Sequence, residues 1–367
     1  MEERLYPKLI LEALETVRYP GTGKNIVESN MVEDDIRIDG RKVSFSLIFD
    51  KTTDPFIRSL VKAAEAAIHT FIARDIEVSV NVKTRQPAPT APVNPLPGVK
   101  NIVGISSGKG GVGKSTVAAN LAVALAREGY KVGILDADIF GPSLPKMFGI
   151  EDEQLYIHNV EGRDRIIPIE RYGVKILSIG LLVDRDHAVM WRGSMASSAL
   201  RQLITDADWG ELDYFLIDMP PGTSDIHLTL VQTLAITGVV VVTTPQEVAL
   251  ADARKGIAMF RDPKVNVPIL GLVENMAWFT PEKHPDEHYH IFGPERGLEL
   301  SRELNVRLLG QIPVVGSISE SGDAGRPIAL EDSITGEAFR HVAREVIDAI
   351  DERNRDLPAT QKVQTKP

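Results

Sequence analysis

The sequence predicts an α/β domain with a mostly parallel sheet flanked by helices, preceded by a small α+β domain. Three observations carry that reading: strand-sized apolar runs alternate with helical patterns after residue 98, a proline-rich stretch sets off what precedes them, and a glycine-rich loop joins the first of those strands to the first helix. Regular strand-helix alternation builds a parallel sheet, because each helix carries the chain back to the same end of the next strand. The loop, Gly108-Lys109-Gly110-Gly111-Val112-Gly113-Lys114-Ser115-Thr116, is a complete match to G-x-x-x-x-G-K-[ST] in the strand-loop-helix setting that motif needs. The domain is therefore expected to be a P-loop NTPase.

The elements follow in order along the chain. Residues 5–17 carry apolar positions at near-helical spacing, 43–49 alternate like a strand, 56–72 look helical and 76–82 read as another strand, making a small α+β domain of residues 1–85. Residues 86–98 hold Pro87, Pro89, Pro92, Pro95 and Pro97 among small and polar neighbours, the composition of a semi-rigid linker. Beyond it, strands are expected at 102–106, 132–135, 174–179, 214–217, 239–242, 269–273 and 308–312 and a last helix at 336–354, which bounds the second domain at 99–354. Residues 355–367, polar and proline-containing, are expected to be a disordered tail.

Composition narrows the chemistry. With 367 residues, 43% of them hydrophobic, the chain has ample material for two packed cores. It contains no cysteine, which excludes disulfides, thiolate nucleophiles and cysteine-ligated metal sites supplied by this chain. A formal net charge of -10 argues against broad nucleic-acid binding, which rests on Lys and Arg contacts to phosphates. Met1-Glu2-Glu3-Arg4 lacks the features of a secretory leader, and no apolar run approaches the roughly 20 residues of a membrane span, so a cytoplasmic protein without a membrane partner is expected.

In the loop, glycines let the backbone turn its amides inward around phosphates, and the following helix N-terminus adds positive potential. Lys114 would reach the β- and γ-phosphates, Ser115 would ligate Mg2+, and Thr116 would contact the α-phosphate. Two strand ends bring carboxylates to the ligand side of such a sheet: residues 132–135 lead into Asp136-Ala137-Asp138, and 214–217 lead into Asp218-Met219-Pro220-Pro221-Gly222. The second placement fits a carboxylate that holds Mg2+ through water, with the Gly222 amide near the γ-phosphate.

Lys109 is a second lysine that cannot occupy the cradle Lys114 already fills. The form Lys-Gly-Gly-x-Gly-Lys-Ser resembles the signature of the MinD, ParA and nitrogenase-iron-protein class. That resemblance implies a homodimer with ATP between the subunits and Lys109 crossing to the partner's nucleotide. It also implies that Asp138 positions or activates the attacking water, that Asp136 lies beside the Mg2+ shell, and that Asn275 recognises adenine, with residues 311–314 as the other wall of the base site.

Taken with Asp136-Ala137-Asp138-Ile139-Phe140-Gly141-Pro142-Ser143, Asp218-Met219-Pro220-Pro221-Gly222-Thr223-Ser224-Asp225 and Val273-Glu274-Asn275-Met276, the loop resembles the Mrp/ApbC family of iron-sulfur cluster carrier ATPases over residues 99–350. Residues 1–85 resemble the MIP18-type domain that often precedes it. The family implies ATP-dependent assembly or transfer of [4Fe-4S] clusters to apo iron-sulfur proteins or assembly factors, with the cluster held by a Cys-x-x-Cys pair just after the Asn-Met element. Here Pro281 and His284 fall about where those cysteines would lie. Nearby His284, His288 and His290, with Glu282, Asp286 and Glu287, form a group of imidazoles and carboxylates able to hold iron or zinc, or else a polar surface loop with incidental histidines. Two alternatives stay open: a ParA/MinD-like positioning ATPase, which would show a basic patch or basic amphipathic helix, and a metal-delivery ATPase using the histidine-rich loop.

Overall fold

The computed structural model describes residues 5–20, 22–33, 35–49, 54–84, 94–139, 141–160, 162–182, 193–281, 284, 287–294 and 296–362. The chain divides into two compact units, residues 1–93 and 94–367. Most of the expected linker, residues 86–93, lies outside the described residues. Its last part belongs to the second unit, where Leu96 is buried in the core.

In the first unit, helix α1 (Pro7–Leu14), strands β1 (Arg37–Asp39) and β2 (Lys42–Phe49), helix α2 (Ile57–Phe71) and strand β3 (Glu77–Thr84) form a three-stranded sheet in the order β1-β2-β3 backed by two helices. Strand β2 is central, antiparallel to β1 and parallel to β3. Its period of two turns Val43, Phe45, Leu47 and Phe49 into the core, where Leu60, Ala64 and Ile68 arrive from one face of α2 at helical spacing.

The second unit alternates as expected. Strand β4 (Val99–Ser107) leads through the glycine loop into α3 (Lys114–Arg127), followed by β5 (Val132–Asp136) and the short α4 (Leu144–Met147). An antiparallel ribbon, β6 (Tyr156–Val160) and β7 (Arg163–Ile167), and the antiparallel edge strand β8 (Ile169–Arg171) precede β9 (Val174–Ser178). Then come α5 (Gly193–Thr205), β10 (Leu212–Asp218), α6 (Asp225–Thr233), β11 (Gly238–Thr243), α7 (Glu247–Arg261), β12 (Ile269–Phe279), α8 (Arg296–Leu304), β13 (Leu308–Val314), α9 (Gly316–Asp323) and α10 (Ile334–Asp356). Among the described residues the sheet has eight strands in the order β13-β12-β11-β4-β10-β5-β9-β8, parallel except at β8. Strands such as β11, buried along its whole length, need apolar side chains on both faces, and Val239-Val240-Val241-Val242 supplies them. Leu121, Phe339 and Val346 cover one face of the sheet from α3 and α10, while Leu200, Leu230 and Ile257 cover the other from α5, α6 and α7.

Three features differ from the sequence reading. The β6-β7 ribbon and β8 were not expected, and β12 runs six residues past 273. The C-terminal boundary also moves: α10 continues to Asp356, and the Arg353 guanidinium then donates to Pro358 O at 2.6 Å and Thr360 Oγ1 at 2.7 Å, so residues 357–362 are held rather than left as a tail. Residues 363–367 lie outside the described residues. No helix among the described residues is long and apolar enough to cross a membrane.

Helix α6 is capped by an unusual partner. The Ser224 amide donates to His227 Nδ1 at 3.2 Å, which leaves the ring proton on Nε2, and Nε2 is buried without a hydrogen-bond partner. Burial holds the imidazole neutral, lowering its pKa to about 4. Between the unfolded value near 6.5 and about 4, the unfolded chain binds a proton that the fold refuses, so this group's contribution is complete above the window and is lost as pH falls through it. Over that range wild type is expected to lose on the order of 3 kcal/mol through this one group. His227→Gln, which keeps a side-chain acceptor at the capping position, should lack that acid sensitivity. Urea unfolding at pH 7 and near pH 4.5 measures the difference, and equal acid slopes for the two proteins would refute it.

Candidate nucleotide-binding site

The glycine loop leaves the sheet at the C-terminal end of β4, the fourth strand from the β13 edge, with β11 on one side and β10 and β5 on the other. Gly113 has φ 81° and lies against the Asn275 amide, so any side chain there would be both strained and obstructed. At Gly108 a Cβ would collide with the Asp252 backbone, because α7 packs directly on the loop. These two glycines let the loop close over the start of α3, whose first-turn amides point at the space above Lys114.

Strand register brings the acidic residues together. Asp218 pairs with Asp136 across the β10-β5 ladder, so the two strand-end carboxylates lie side by side. Lys114 Nζ lies 2.5 Å from Asp218 Oδ1, 3.6 Å from Asp138 Oδ2 and 3.3 Å from Ser115 Oγ. Asp136 and Asp218 are fully buried and Lys114 is nearly so. Burial, reinforced by the neighbouring Asp218, pushes the Asp136 carboxyl up to about 7. Asp218 is also raised by burial, although Lys114 pulls it the other way.

These two carboxylates are not equivalent. Asp136 Oδ2 accepts from the Leu144 amide at 3.2 Å and Ser178 Oγ at 3.0 Å, and Oδ1 accepts from the Asp138 amide at 3.2 Å. Asp136, expected beside the Mg2+ shell, lies next to Asp218 with both oxygens accepting hydrogen bonds that shape the turn carrying Asp138. Asp218 Oδ2 is buried and has no hydrogen-bond partner. Two carboxylates, those of Asp138 and Asp218, face one ammonium, and together with the Ser115 hydroxyl the spare Asp218 oxygen makes a hard, oxygen-only donor set that suits Mg2+. Gly222, expected to offer its amide to a phosphate, donates it to Ser107 O at 2.9 Å, which ties the loop after β10 to the end of β4.

A cavity of about 440 Å3 opens beyond Gly113 and Thr116, lined by Asn275, Met276, Pro313, Val314 and Ile318 among others. Asn275 Nδ2 donates to Val112 O at 2.8 Å, which fixes the side-chain amide and leaves its oxygen and second N–H to meet a base in this cavity. Lys109 lies on the loop half-buried; its carbonyl accepts from Ser107 Oγ at 2.9 Å, and no partner of its ammonium is found among the described residues.

The histidines do not converge. His284 Nδ1 lies 3.5 Å from Glu287 Oε1, His288 stacks on Trp278 at 5.0 Å, and His290 Nδ1 lies 3.3 Å from Ala277 O. Glu282 and Asp286 lie outside the described residues, among which no group of three His, Asp or Glu side chains could hold a metal. The expected imidazole site at His284, His288 and His290 is corrected accordingly, since each ring is committed to a different neighbour. Sequence reasoning also passed over Ser178 and His227. A signal existed for Ser178, a small polar residue that closes the apolar run Ile176-Leu177 at the end of β9, in register with Asp136.

Comparison with known proteins agrees with this architecture. Residues 98–347 match the family model described as NUBPL iron-transfer P-loop NTPase, and residues 8–80 match that of an iron-sulfur cluster assembly protein. An iron-sulfur cluster carrier protein of Synechocystis sp. is 43% identical over 340 residues, covering 92% of this chain and 96% of the relative. The iron-sulfur cluster transfer protein NUBPL of Dictyostelium discoideum is 43% identical over 263 residues, 71% of this chain and 80% of its own length. Among solved structures, a nucleotide-binding protein of Archaeoglobus fulgidus in complex with ADP superposes with a TM-score of 0.56 at 37% identity, covering 64% of this chain and 90% of that one. A P-loop at the centre of a parallel sheet, two strand-end carboxylates in register and these matches along both units lead to one assignment: the chain belongs to the family of NUBPL-type iron-transfer P-loop NTPases.

Proposed function

We propose that the chain is an ATP-hydrolysing homodimer that drives the transfer of iron-sulfur clusters to apo-proteins. The observation that carries this reading is the buried Lys114–Asp218 pair under the glycine loop, with the half-buried Ser115 beside it and one Asp218 oxygen unused. In this reading the backbone of Gly108, Gly110, Gly111, Val112 and Gly113 cradles the phosphates, Lys114 leaves Asp218 for the β- and γ-phosphate oxygens, and Thr116 meets the α-phosphate. Ser115 and Asp218 hold Mg2+, which when bound neutralises charge on the phosphates. Asp138 orients the water whose oxygen attacks the γ-phosphorus as the bond to the β-γ bridging oxygen breaks, and Lys109 of one subunit steadies that charge in the other. Asn275 presents its carbonyl oxygen to the adenine amine.

The cargo is held differently from the engine. With no cysteine in the chain and no three-ligand group among the described residues, the residues present do not fit an iron-sulfur cluster. The reading therefore assigns the nucleotide chemistry to this chain and the cluster's thiolates to the proteins it serves. Relatives named as cluster carriers over nearly the full length support the transfer role.

The test mixes, without oxygen, a [4Fe-4S] donor protein, an apo recipient, the full chain and Mg-ATP, and follows cluster absorption in the separated recipient. Transfer should be faster with ATP than without, and the chain alone should retain no cluster after iron and sulfide loading. If ATP is hydrolysed but leaves the transfer rate unchanged, the carrier reading fails while the ATPase reading survives.

A further inference from the structure

Strand β12 loses its register with β13 at the mouth of the base cavity. Asn275 pairs with Ile312 and Phe279 with Val314, so Met276, Ala277 and Trp278 together stand opposite Pro313 alone. Pro313 has no amide hydrogen to donate, and the ladder cannot run through it. The surplus residues are absorbed at Met276, whose φ of 56° lies in the left-handed region that an unbranched apolar residue seldom adopts. Strain of this kind persists only where the surroundings enforce it, and it concentrates at functional sites.

Contacts on both sides enforce it here. Toward the nucleotide loop, Asn275 is tied to Val112 O, and the Met276 side chain lines the cavity with Gly113, Pro313 and Val314. Away from it, Phe279 and Tyr289 exchange both backbone hydrogen bonds at 2.9 Å, Trp278 stacks on His288 with rings 15° from parallel, and His290 Nδ1 approaches Ala277 O at 3.3 Å. Met276 is thus the sole residue between one anchored to the glycine loop and a segment anchored to the base of the histidine-bearing loop.

We propose that Met276 is a positioning residue that couples occupancy of the base cavity to the Trp278–His288 stack. A base entering the cavity presses on the methionine side chain, the left-handed turn yields, and the two residues beyond it move with the strand. This rests on the nucleotide-binding reading above and adds where that binding is felt. The strained turn is the element with two settings, since a residue held off its preferred backbone conformation is displaced by a small change in the contacts that hold it there.

Tryptophan emission in the full chain reads the coupling, with Trp278→Phe subtracting the signal of Trp191 and Trp209, and calorimetry recording ADP binding in parallel. ADP at saturation is expected to change Trp278 emission in wild type. Met276→Ala, which keeps the backbone and removes the side chain from the cavity, should at least halve that change at ADP concentrations saturating for the variant. Met276→Leu, which restores apolar bulk, should recover it. ADP that binds by calorimetry without altering Trp278 emission, or a Met276→Ala protein that responds like wild type, overturns the coupling. Absence of any heat of ADP binding to wild type overturns the nucleotide reading, and the coupling with it.

Discussion

Lys114→Ala is expected to abolish ATP turnover and, in the nucleotide-free protein, to lower stability by about 3 to 5 kcal/mol. Lys114 Nζ lies 2.5 Å from an Asp218 carboxylate that has no exposure to solvent and is in register with a second buried carboxylate, Asp136. Removing the ammonium leaves that pair of acids buried without a cation, a larger penalty than the net worth of the ion pair, because desolvation already offsets most of its attraction. The loss should shrink as pH falls. Asp218 is already raised by burial, and once the lysine is gone it can take a proton and need no partner. Asp218→Asn added to Lys114→Ala should recover most of the stability and none of the nucleotide binding. Urea unfolding with and without Mg-ADP reads both effects, and a Lys114→Ala protein that stays as stable as wild type and binds ADP equally well would sink the assignment.

Lys109→Ala is expected to slow hydrolysis by on the order of 1000-fold, by analogy with a charge supplied in trans to phosphoryl transfer, while ADP affinity stays close to wild type. The basis is positional: the ammonium sits on the loop half-buried, with no partner among the described residues, and the cradle is already filled by Lys114. Mixing subunits gives the decisive measurement. Lys109→Ala and Asp138→Asn proteins should each be nearly inactive alone. If Lys109 works across the interface, a heterodimer contains one complete site, made of the Asp138 of one subunit and the Lys109 of the other. An equal mixture should then recover about a quarter of wild-type turnover, since half the dimers are mixed and each has one working site of two. No recovery in a mixture shown to exchange subunits would place Lys109 in its own subunit's site.

Strand positions were legible wherever a strand is buried on both faces. Val239–Val242 and Phe215-Leu216-Ile217 are apolar without interruption, and they became β11 and β10. The β6-β7 ribbon was not legible because Tyr156 and Ile157 face solvent and Arg163, Asp164 and Arg165 break any apolar alternation. Nor was the extension of β12, since its length and its turn at Met276 are set by a proline on a neighbouring strand 37 residues away in sequence, a partner no local pattern identifies. In the site, the motif named Lys114, Ser115 and Asp218 by type and spacing. Their arrangement, and the different engagement of Asp136, depend on Ser178 and Leu144, which reach Asp136 only through the fold.

The order of strands separates two kinds of freedom. Lys114, Asp136, Asp138 and Asp218 end or follow three adjacent strands, β4, β10 and β5, in the middle of the sheet, where a changed side chain is felt on both sides. The loop that holds His284 and His288 follows β12, with only β13 between it and the rim. A changed side chain at the rim meets few neighbours, so the chemistry of that loop can be altered while the central machinery stays intact. A member of this family without a single cysteine is what such a layout permits.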